Sequence, residues 1–244
     1  MESIQTKGPI EILLVEDDTD TGEAIRSALG TYGYSVNQVL NAHDCFEYLK
    51  KEVPALLLLD LELPDITGEK ICNTLREQSF DTLPIIVLSG RDNDDAIVEV
   101  LEAGADDFVS KRNSISILVA HIRSVLKRGK RIVNNGPSKK HDAKVSWGPI
   151  SIDRTVLKVS VFGRETSMTP TEAQLLEVFI SHPGSVYTRK QLIENLHGAG
   201  YCLTERTIDV HINGIRNNLG EAKSVLETVR GVGYRLVEEF QGKV

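Results

Sequence analysis

Ala55-Leu56-Leu57-Leu58-Leu59-Asp60 decides the fold of the first half of this chain. Five consecutive apolar residues leave no polar face, which predicts a strand buried on both sides, as in a parallel sheet covered by helices. Its last residue is a carboxylate, followed by Leu-Glu-Leu-Pro-Asp-Ile-Thr-Gly. Open α/β sheets place their chemistry at the carboxyl ends of such strands. Working outward, Ile12–Val15 runs into Glu16, Asp17 and Asp18, and Ile85–Leu88 runs into Ser89. A run near Asp107–Ser110 leads into Lys111. Three acids, a further carboxylate, a hydroxyl and an ammonium group therefore converge on one sheet edge.

Strands are predicted near 11–15, 34–39, 55–59, 84–88 and 106–110. Helical patterns lie between them, such as Ala24, Ile25, Ala28, Leu29 and Ala96, Ile97, Val100, Leu101, with apolar residues three and four apart. Five strand–helix repeats predict an α/β, flavodoxin-like (βα)5 domain.

Charge divides the 244 residues into three parts. Residues 1–127 carry 11 Lys+Arg against 23 Asp+Glu, residues 128–144 carry 6 against 1, and residues 145–244 carry 11 of each. An N-terminal tail (1–9), an acidic domain (10–127), a basic linker (128–144) and a neutral domain (145–239) follow from this. The linker, with Asn-Asn-Gly-Pro-Ser and five Lys or Arg before Lys144, has little to bury. Cys45, Cys72 and Cys202 show no metal-ligand spacing and fit reduced thiols. The N-terminus has no signal-peptide pattern, and no apolar run has the length of a membrane span. The expectation is a cytoplasmic protein with no membrane partner.

The second domain opens its helices with Thr169-Pro170-Thr171-Glu172, a capping box with proline at the first helical position. Thr188-Arg-Lys-Gln191 repeats the capping logic. A third helix spans about 205–219, where Ile208, Ile212, Ile215 and Leu219 form one narrow buried stripe. Opposite that stripe lie Arg206, Val210, Asn213, Gly214 and Asn217, with Arg216 on the flank. Leu226–Val229 and Tyr234–Val237 around Arg-Gly-Val-Gly predict a hairpin, and Ile150–Ile152 with Leu157–Phe162 predict a small antiparallel sheet. Three helices and a terminal hairpin make an α+β winged helix-turn-helix.

Glu16-Asp17-Asp18, Asp60 in its Asp-Leu-Glu-Leu-Pro-Asp-Ile-Thr-Gly context, Ser89, and Gly104-Ala-Asp-Asp-Phe108 leading to Lys111 together resemble the receiver domain of two-component response regulators. Thr-Pro-Thr-Glu-Ala, Glu-Arg-Thr-Ile-Asp-Val-His-Ile and Glu-Thr-Val-Arg-Gly-Val-Gly-Tyr-Arg-Leu resemble the winged-helix domain of the OmpR/PhoB class. The two resemblances cover nearly the whole chain. They imply that Asp60 is a phosphoacceptor charged by a sensor histidine kinase. They also imply a metal site for Mg2+ (or Mn2+), with Asp17 a direct ligand, Glu16 a water-mediated one, and the backbone carbonyl of Glu62 joining Asp60. Ser89 and Lys111 would hold the phosphoryl oxygens, and Phe108 would be the rotating aromatic. The 205–219 helix would enter the major groove of double-stranded promoter DNA through Arg206, Val210, Asn213 and Arg216. Thr228, Arg230 and Tyr234 match hairpin positions that contact DNA. Val210 is equally compatible with a lone surface apolar residue, and Tyr234 with wing core.

The resemblance further implies a homodimer on activation through the fourth and fifth receiver helices, and RNA polymerase as a further partner. It implies no enzyme beyond the receiver's own phosphotransfer and slow autodephosphorylation; a phosphatase usually has a second aspartate where Glu62 stands.

Three departures stand out. Arg112 follows Lys111 where the receiver pattern has proline, so a trans peptide is expected there. Ile97 and Ile117 stand where charged cross-pairs usually dimerise the receiver, leaving Glu102 and Arg123 as one such pair. Either the contact becomes apolar or both isoleucines face their own core. The groove helix carries Asn213-Gly214 and Asn217-Asn218 rather than Arg and Lys, which predicts weak binding by one effector domain and reliance on two copies. The competing function is a phosphorylation-independent DNA-binding regulator.

Overall fold

The computed structural model describes residues 8–78, 80–91, 93–130, 143–197 and 205–241. Strands and helices alternate through the first half: β1 (Ile10–Val15), α1 (Thr19–Thr31), β2 (Tyr34–Val39), α2 (Ala42–Leu49), β3 (Leu56–Asp60), α3 (Gly68–Glu77), β4 (Ile85–Ser89), α4 (Asp94–Glu102), β5 (Asp107–Ser110) and α5 (Ile115–Lys130). All five strands are parallel, in the order β2-β1-β3-β4-β5.

The leucine run behaves as its composition predicts. Every residue of β3 is buried. Because strand side chains alternate in direction, Leu57 and Leu59 join Ile71, Leu75 and Val100 on one side of the sheet. Leu56 and Leu58 join Leu118, Val119 and Ile122 on the other. Each such leucine contributes about 1.5–3 kcal/mol of burial, and together they fix the register that leaves Asp60 at the sheet's edge, beside Leu88 of β4.

The second half begins with a four-stranded antiparallel sheet, β6 (Lys144–Trp147), β7 (Ile150–Asp153), β8 (Lys158–Val161) and β9 (Arg164–Thr166). Then come α6 (Pro170–Ser181), β10 (Tyr187–Thr188), α7 (Arg189–His197), α8 (Glu205–Leu219), a 3-10 turn (Gly220–Val225) and the hairpin β11 (Leu226–Val229) and β12 (Gly233–Leu236). Phe179, Leu192, Ile208, Ile212, Ile215 and Leu219 share one core. The stripe of α8 therefore faces inward as its spacing requires. β6, β9 and β10 were not expected; they are two to four residues long and none of their residues is fully buried, so the alternation of Val145 and Trp147 in β6 is too brief to mark a strand.

Helix α5 continues to Lys130, three residues beyond the expected domain end, and Lys144 already belongs to β6. The body of the expected linker, most of the N-terminal tail and Cys202 lie outside the described residues. Cys45 and Cys72 are buried free thiols. Among the described residues no helix is long and apolar enough to cross a membrane.

The two halves meet face to face. Helix α8 lies along α4, while α7 and α6 touch α5. At the base of this contact the Thr171 amide and hydroxyl donate to Asp106, just before β5.

Candidate functional site

The strand ends bring one set of candidate residues together. Val15 lies opposite Leu59, so Glu16 and Asp60 emerge side by side. Carboxylate oxygens of Glu16, Asp17 and Asp60 lie within 4.8 Å of one another. Lys111 reaches into the group, its Nζ 2.9 Å from Asp60 Oδ2 and 2.7 Å from Glu16 Oε2. One ammonium group thus sits between two buried carboxylates, both contacts being of charge-assisted length. Burial, reinforced by Asp60 and Asp17, holds the Glu16 carboxyl above the usual carboxylate pKa against the opposing pull of Lys111. Burial alone would lower the Lys111 ammonium, but Glu16 and Asp60 outweigh it and the net shift is upward.

Lys111 attains this position without a cis peptide at Arg112. Its own amide donates to the Ser89 carbonyl at 2.8 Å, extending the β4–β5 ladder by one rung past Ser110. Ladder geometry, rather than a proline, aims the lysine. Ser89 is fully buried, and its hydroxyl accepts from the Arg91 amide at 2.9 Å. Phe108 is buried and packs inward on the α3–α4 side. The Glu62 carboxylate points outward to Arg91 at 3.2 Å.

Neighbouring residues hold this edge in shape. Asp18 is an N-cap, accepting from the Thr21 amide at 2.7 Å to start α1. Asp65 accepts from the Ala42 and His43 amides, both at 3.1 Å, tying the loop after β3 to the start of α2. At Gly68 a Cβ would lie 2.8 Å from the Asp60 carbonyl oxygen and 3.0 Å from Leu61 Cα, so only glycine lets α3 begin this close to the acid. Asp65 and Gly68 were part of the quoted motif but had no role assigned.

The second set of candidates clusters around α8 and the hairpin, and it divides in two. Asn213, Thr228 and Arg230 are exposed. Arg216 instead donates to the Leu226 carbonyl at 3.0 and 2.8 Å and to Thr228 Oγ1 at 2.8 Å, bracing α8 against the wing. Tyr234 departs from the expected DNA-contact role. It is buried, its hydroxyl donates to Asp209 Oδ1 at 2.6 Å and accepts from Arg189, and its ring lies under the Arg189 and Arg216 guanidiniums. The wing-core alternative is the one observed.

Val210 projects from α8 as expected, and in this closed arrangement it packs against the receiver core. Arg206 faces Asp95 of α4 at 3.4 Å. Ile97 is half-buried at this contact, Ile117 stays exposed, Arg123 lies over the Tyr32 ring, and Glu102 borders a cavity between the domains.

That cavity, about 480 Å3, is lined by Arg76, Glu102, Glu172, Asn213, Asn217 and Asn218 among others. Beneath it lies a buried polar cluster that sequence reasoning missed. Arg76 pairs with Asp106 at 3.0 Å, with side chains 10% and 0% exposed. Glu172 accepts from the Thr169 amide within its capping box. Burial pushes the Glu172 carboxyl up to about 7, with Asp106 adding to the rise and the Thr169 amide and Arg76 opposing it. The only available signal was Arg76 and Asp106 as charges within apolar patterns, which is weak because charges on helices and loops are usually solvated.

A five-stranded parallel sheet bearing an acidic pocket, joined to a winged helix-turn-helix, defines a receiver-controlled DNA-binding protein. Comparison with known proteins agrees. The model of the response regulator receiver domain matches residues 12–123, and that of the transcriptional regulatory protein C-terminal domain matches 163–236. The transcriptional regulatory protein CseB of Streptomyces coelicolor is 36% identical over 231 residues, covering 92% of this chain and 97% of CseB. The phosphate regulon transcriptional regulatory protein PhoB of Pseudomonas aeruginosa is 34% identical over 226 residues, covering 92% and 96%. A solved structure of a RitR mutant shares the fold, with a TM-score of 0.76, 23% identity and coverage of 93% and 99%. The chain belongs to the OmpR/PhoB family of two-component response regulators, in which a receiver governs a DNA-binding domain in phosphorylation-dependent transcription regulation.

Proposed function

We propose that Asp60 is the phosphoacceptor of this regulator and that its charging by a sensor histidine kinase controls binding to double-stranded promoter DNA. The convergence of Glu16, Asp60 and Lys111 at the sheet edge carries this reading. Such chemistry needs an aligned carboxylate nucleophile and cations where negative charge develops. Lys111 supplies one cation, and the Ser89 hydroxyl, which accepts from the Arg91 amide, keeps its own proton to donate to a phosphoryl oxygen.

The residues also suit Mg2+ (or Mn2+). Three carboxylates crowd around a single ammonium group, a donor set that is all oxygen and short of positive charge. Glu16, Asp17, Asp60 and the Glu62 backbone carbonyl would hold the ion. When bound it would neutralise the phosphoryl oxygens. Phe108, at the midpoint of the short β5, couples the pocket to the α4 side of the receiver. Slow autodephosphorylation at the same pocket belongs to this reading.

The DNA surface we assign is Arg206, Val210 and Asn213 on α8 with Thr228 and Arg230 on the wing; Arg216 acts by bracing α8. Homodimerisation through α4 and α5, contact with RNA polymerase, and a cytoplasmic setting complete the proposal. The test is intact-mass spectrometry after incubation with acetyl phosphate and Mg2+, comparing the native chain with Asp60→Ala. The expected result is one phosphoryl group on the native chain, none on the variant, and none after chelation. Equal labelling of Asp60→Ala would remove Asp60 from the role, and an unlabelled native chain would favour the phosphorylation-independent regulator.

A further inference from the structure

Besides the apolar packing of Val210, receiver and effector domain touch through polar contacts that include an exposed and a buried one. The exposed one pairs Arg206 with Asp95 at 3.4 Å, with side chains 52% and 80% exposed; a solvated pair of that kind contributes little. The buried one is built differently. Asp106 Oδ1 accepts from both the amide and the hydroxyl of Thr171, each at 2.9 Å, while Asp106 Oδ2 accepts from Arg76 and from the Ile85 amide, each at 3.0 Å. Thr171 and Asp106 are essentially inaccessible to water.

Thr171 is the second residue of α6, and its amide is one of the donors that a helix start leaves without an intrahelical acceptor. Within α6 the Thr169 hydroxyl takes the Glu172 amide and the Glu172 carboxylate takes the Thr169 amide, which leaves Thr171 to an outside partner. That partner is the receiver. A carboxylate facing the positive end of the α6 dipole adds to the hydrogen bonds.

The same turn is joined to α8. Glu172 Oε1 lies where a Cβ on Gly214 would sit, at 1.9 Å, and Asn218 Nδ2 reaches Glu172 Oε2 at 3.4 Å. Gly214 therefore lets α8 close onto the turn that Asp106 holds, and Val210, one turn earlier, is pressed on the receiver.

We propose that Asp106 caps α6 across the domain boundary and that this cap is the latch holding α8 face-down on α4. Asp106 immediately precedes the four-residue β5 and Lys111 immediately follows it. One buried strand thus joins the latch to the phosphoacceptor pocket. The latch deepens the reading above, since it takes α8 as the DNA-reading helix and Lys111 as part of the switch.

Hydrogen exchange of the unphosphorylated full-length chain tests it with neither phosphodonor nor DNA present, so the outcome is independent of whether Asp60 accepts phosphate. Thr171→Val removes the hydroxyl donor at nearly constant volume and should speed exchange across α8 about tenfold, the effect of one lost bond to a charged group. Thr171→Ser, which keeps the donor, and Asp95→Ala, which removes only the exposed pair, should each stay within about twofold of the native rate. The latch is refuted if Thr171→Val leaves α8 exchange unchanged, or if Asp95→Ala speeds it as much. Should Thr171→Val unfold the effector domain, the native chain decides. Its Thr171 amide must exchange slowly and in the same opening event as α8, and a Thr171 amide exchanging at loop rates overturns the proposal.

Discussion

Replacing Arg76 with alanine should be among the most damaging single changes to the receiver. The guanidinium donates to the Gly104 carbonyl at 2.9 and 2.8 Å, to those of Phe80, Leu83 and Asp81 at 2.7, 2.8 and 3.2 Å, and to Asp106 at 3.0 Å. Deleting it strands Asp106 as a buried carboxylate, which costs about 3–5 kcal/mol when one member of a buried pair is removed. The freed carbonyls add less than their sum, because Arg76 borders the interdomain cavity and water can enter there. Against a domain stability of about 5–15 kcal/mol, the loss is large. Urea unfolding followed by far-UV circular dichroism measures it, with Trp147 fluorescence reporting the effector domain separately. Arg76→Lys retains the charge but not the fork of five donors, and should fall between native and alanine. Asp106→Asn added to Arg76→Ala should recover part of the loss, because the uncompensated charge is then gone. An unfolding free energy for Arg76→Ala within about 1 kcal/mol of native would refute the reasoning, as would a double variant that loses the full sum of the single effects.

Gly68→Ala should destabilise by roughly 1–3 kcal/mol, since the added Cβ meets the Asp60 backbone and Leu61 rather than a side chain that can swing away. It should also slow acetyl phosphate labelling; native-like labelling would show that the α3 start does not position Asp60. Glu172 should make stability fall as pH rises. Its carboxyl is raised from 4.5 to about 7 in the folded chain, so its contribution is full below about 4.5 and is lost as pH climbs through about 7. The limit is roughly 3 kcal/mol across that window. Melting curves between those values for the native chain and Glu172→Gln isolate it from Glu16, which titrates with the same sign, and parallel curves would contradict it.

The receiver's architecture was legible because β3 announces itself. Four leucines and an aspartate permit one kind of strand in one kind of sheet, and Glu16, Ser89 and Lys111 then fall at the same edge by parallel connection. Helix α8 was legible for the same reason, as its isoleucine stripe is dictated by the 3.6-residue turn. What periodicity does not carry is the identity of the surface opposite. The pattern placed Val210 away from the stripe, as observed, but the α4 surface that covers it lies more than a hundred residues earlier. Tyr234 was ambiguous because a tyrosine at a hairpin can spend its hydroxyl on DNA or on Asp209. Asp106 looked like one of two acids before Phe108, and only the folded chain distinguishes them: Asp107 bonds within the receiver to His121, whereas Asp106 crosses to α6.

This arrangement bears on the two departures in the dimer face. Ile97 and Val210 both pack against the same receiver core, and α8 lies along α4, so an apolar residue suits position 97. A charged side chain at position 97 would lose part of its hydration where α8 closes along α4, a cost that would weaken the closed arrangement. The isoleucine thus stabilises the closed chain whatever it does between two chains. If pairing uses α4 and DNA is read by α8, as proposed above, both events need surface that the α4–α8 contact covers in the closed chain. Any free energy that opens the interface therefore favours pairing and DNA binding together, without direct contact between the two events. The scarcity of cations on α8 fits that logic. A helix rich in Arg and Lys would be drawn to the acidic receiver and to DNA alike, whereas Asn213 and Asn217 leave the balance to the buried latch and to the number of effector domains on the duplex.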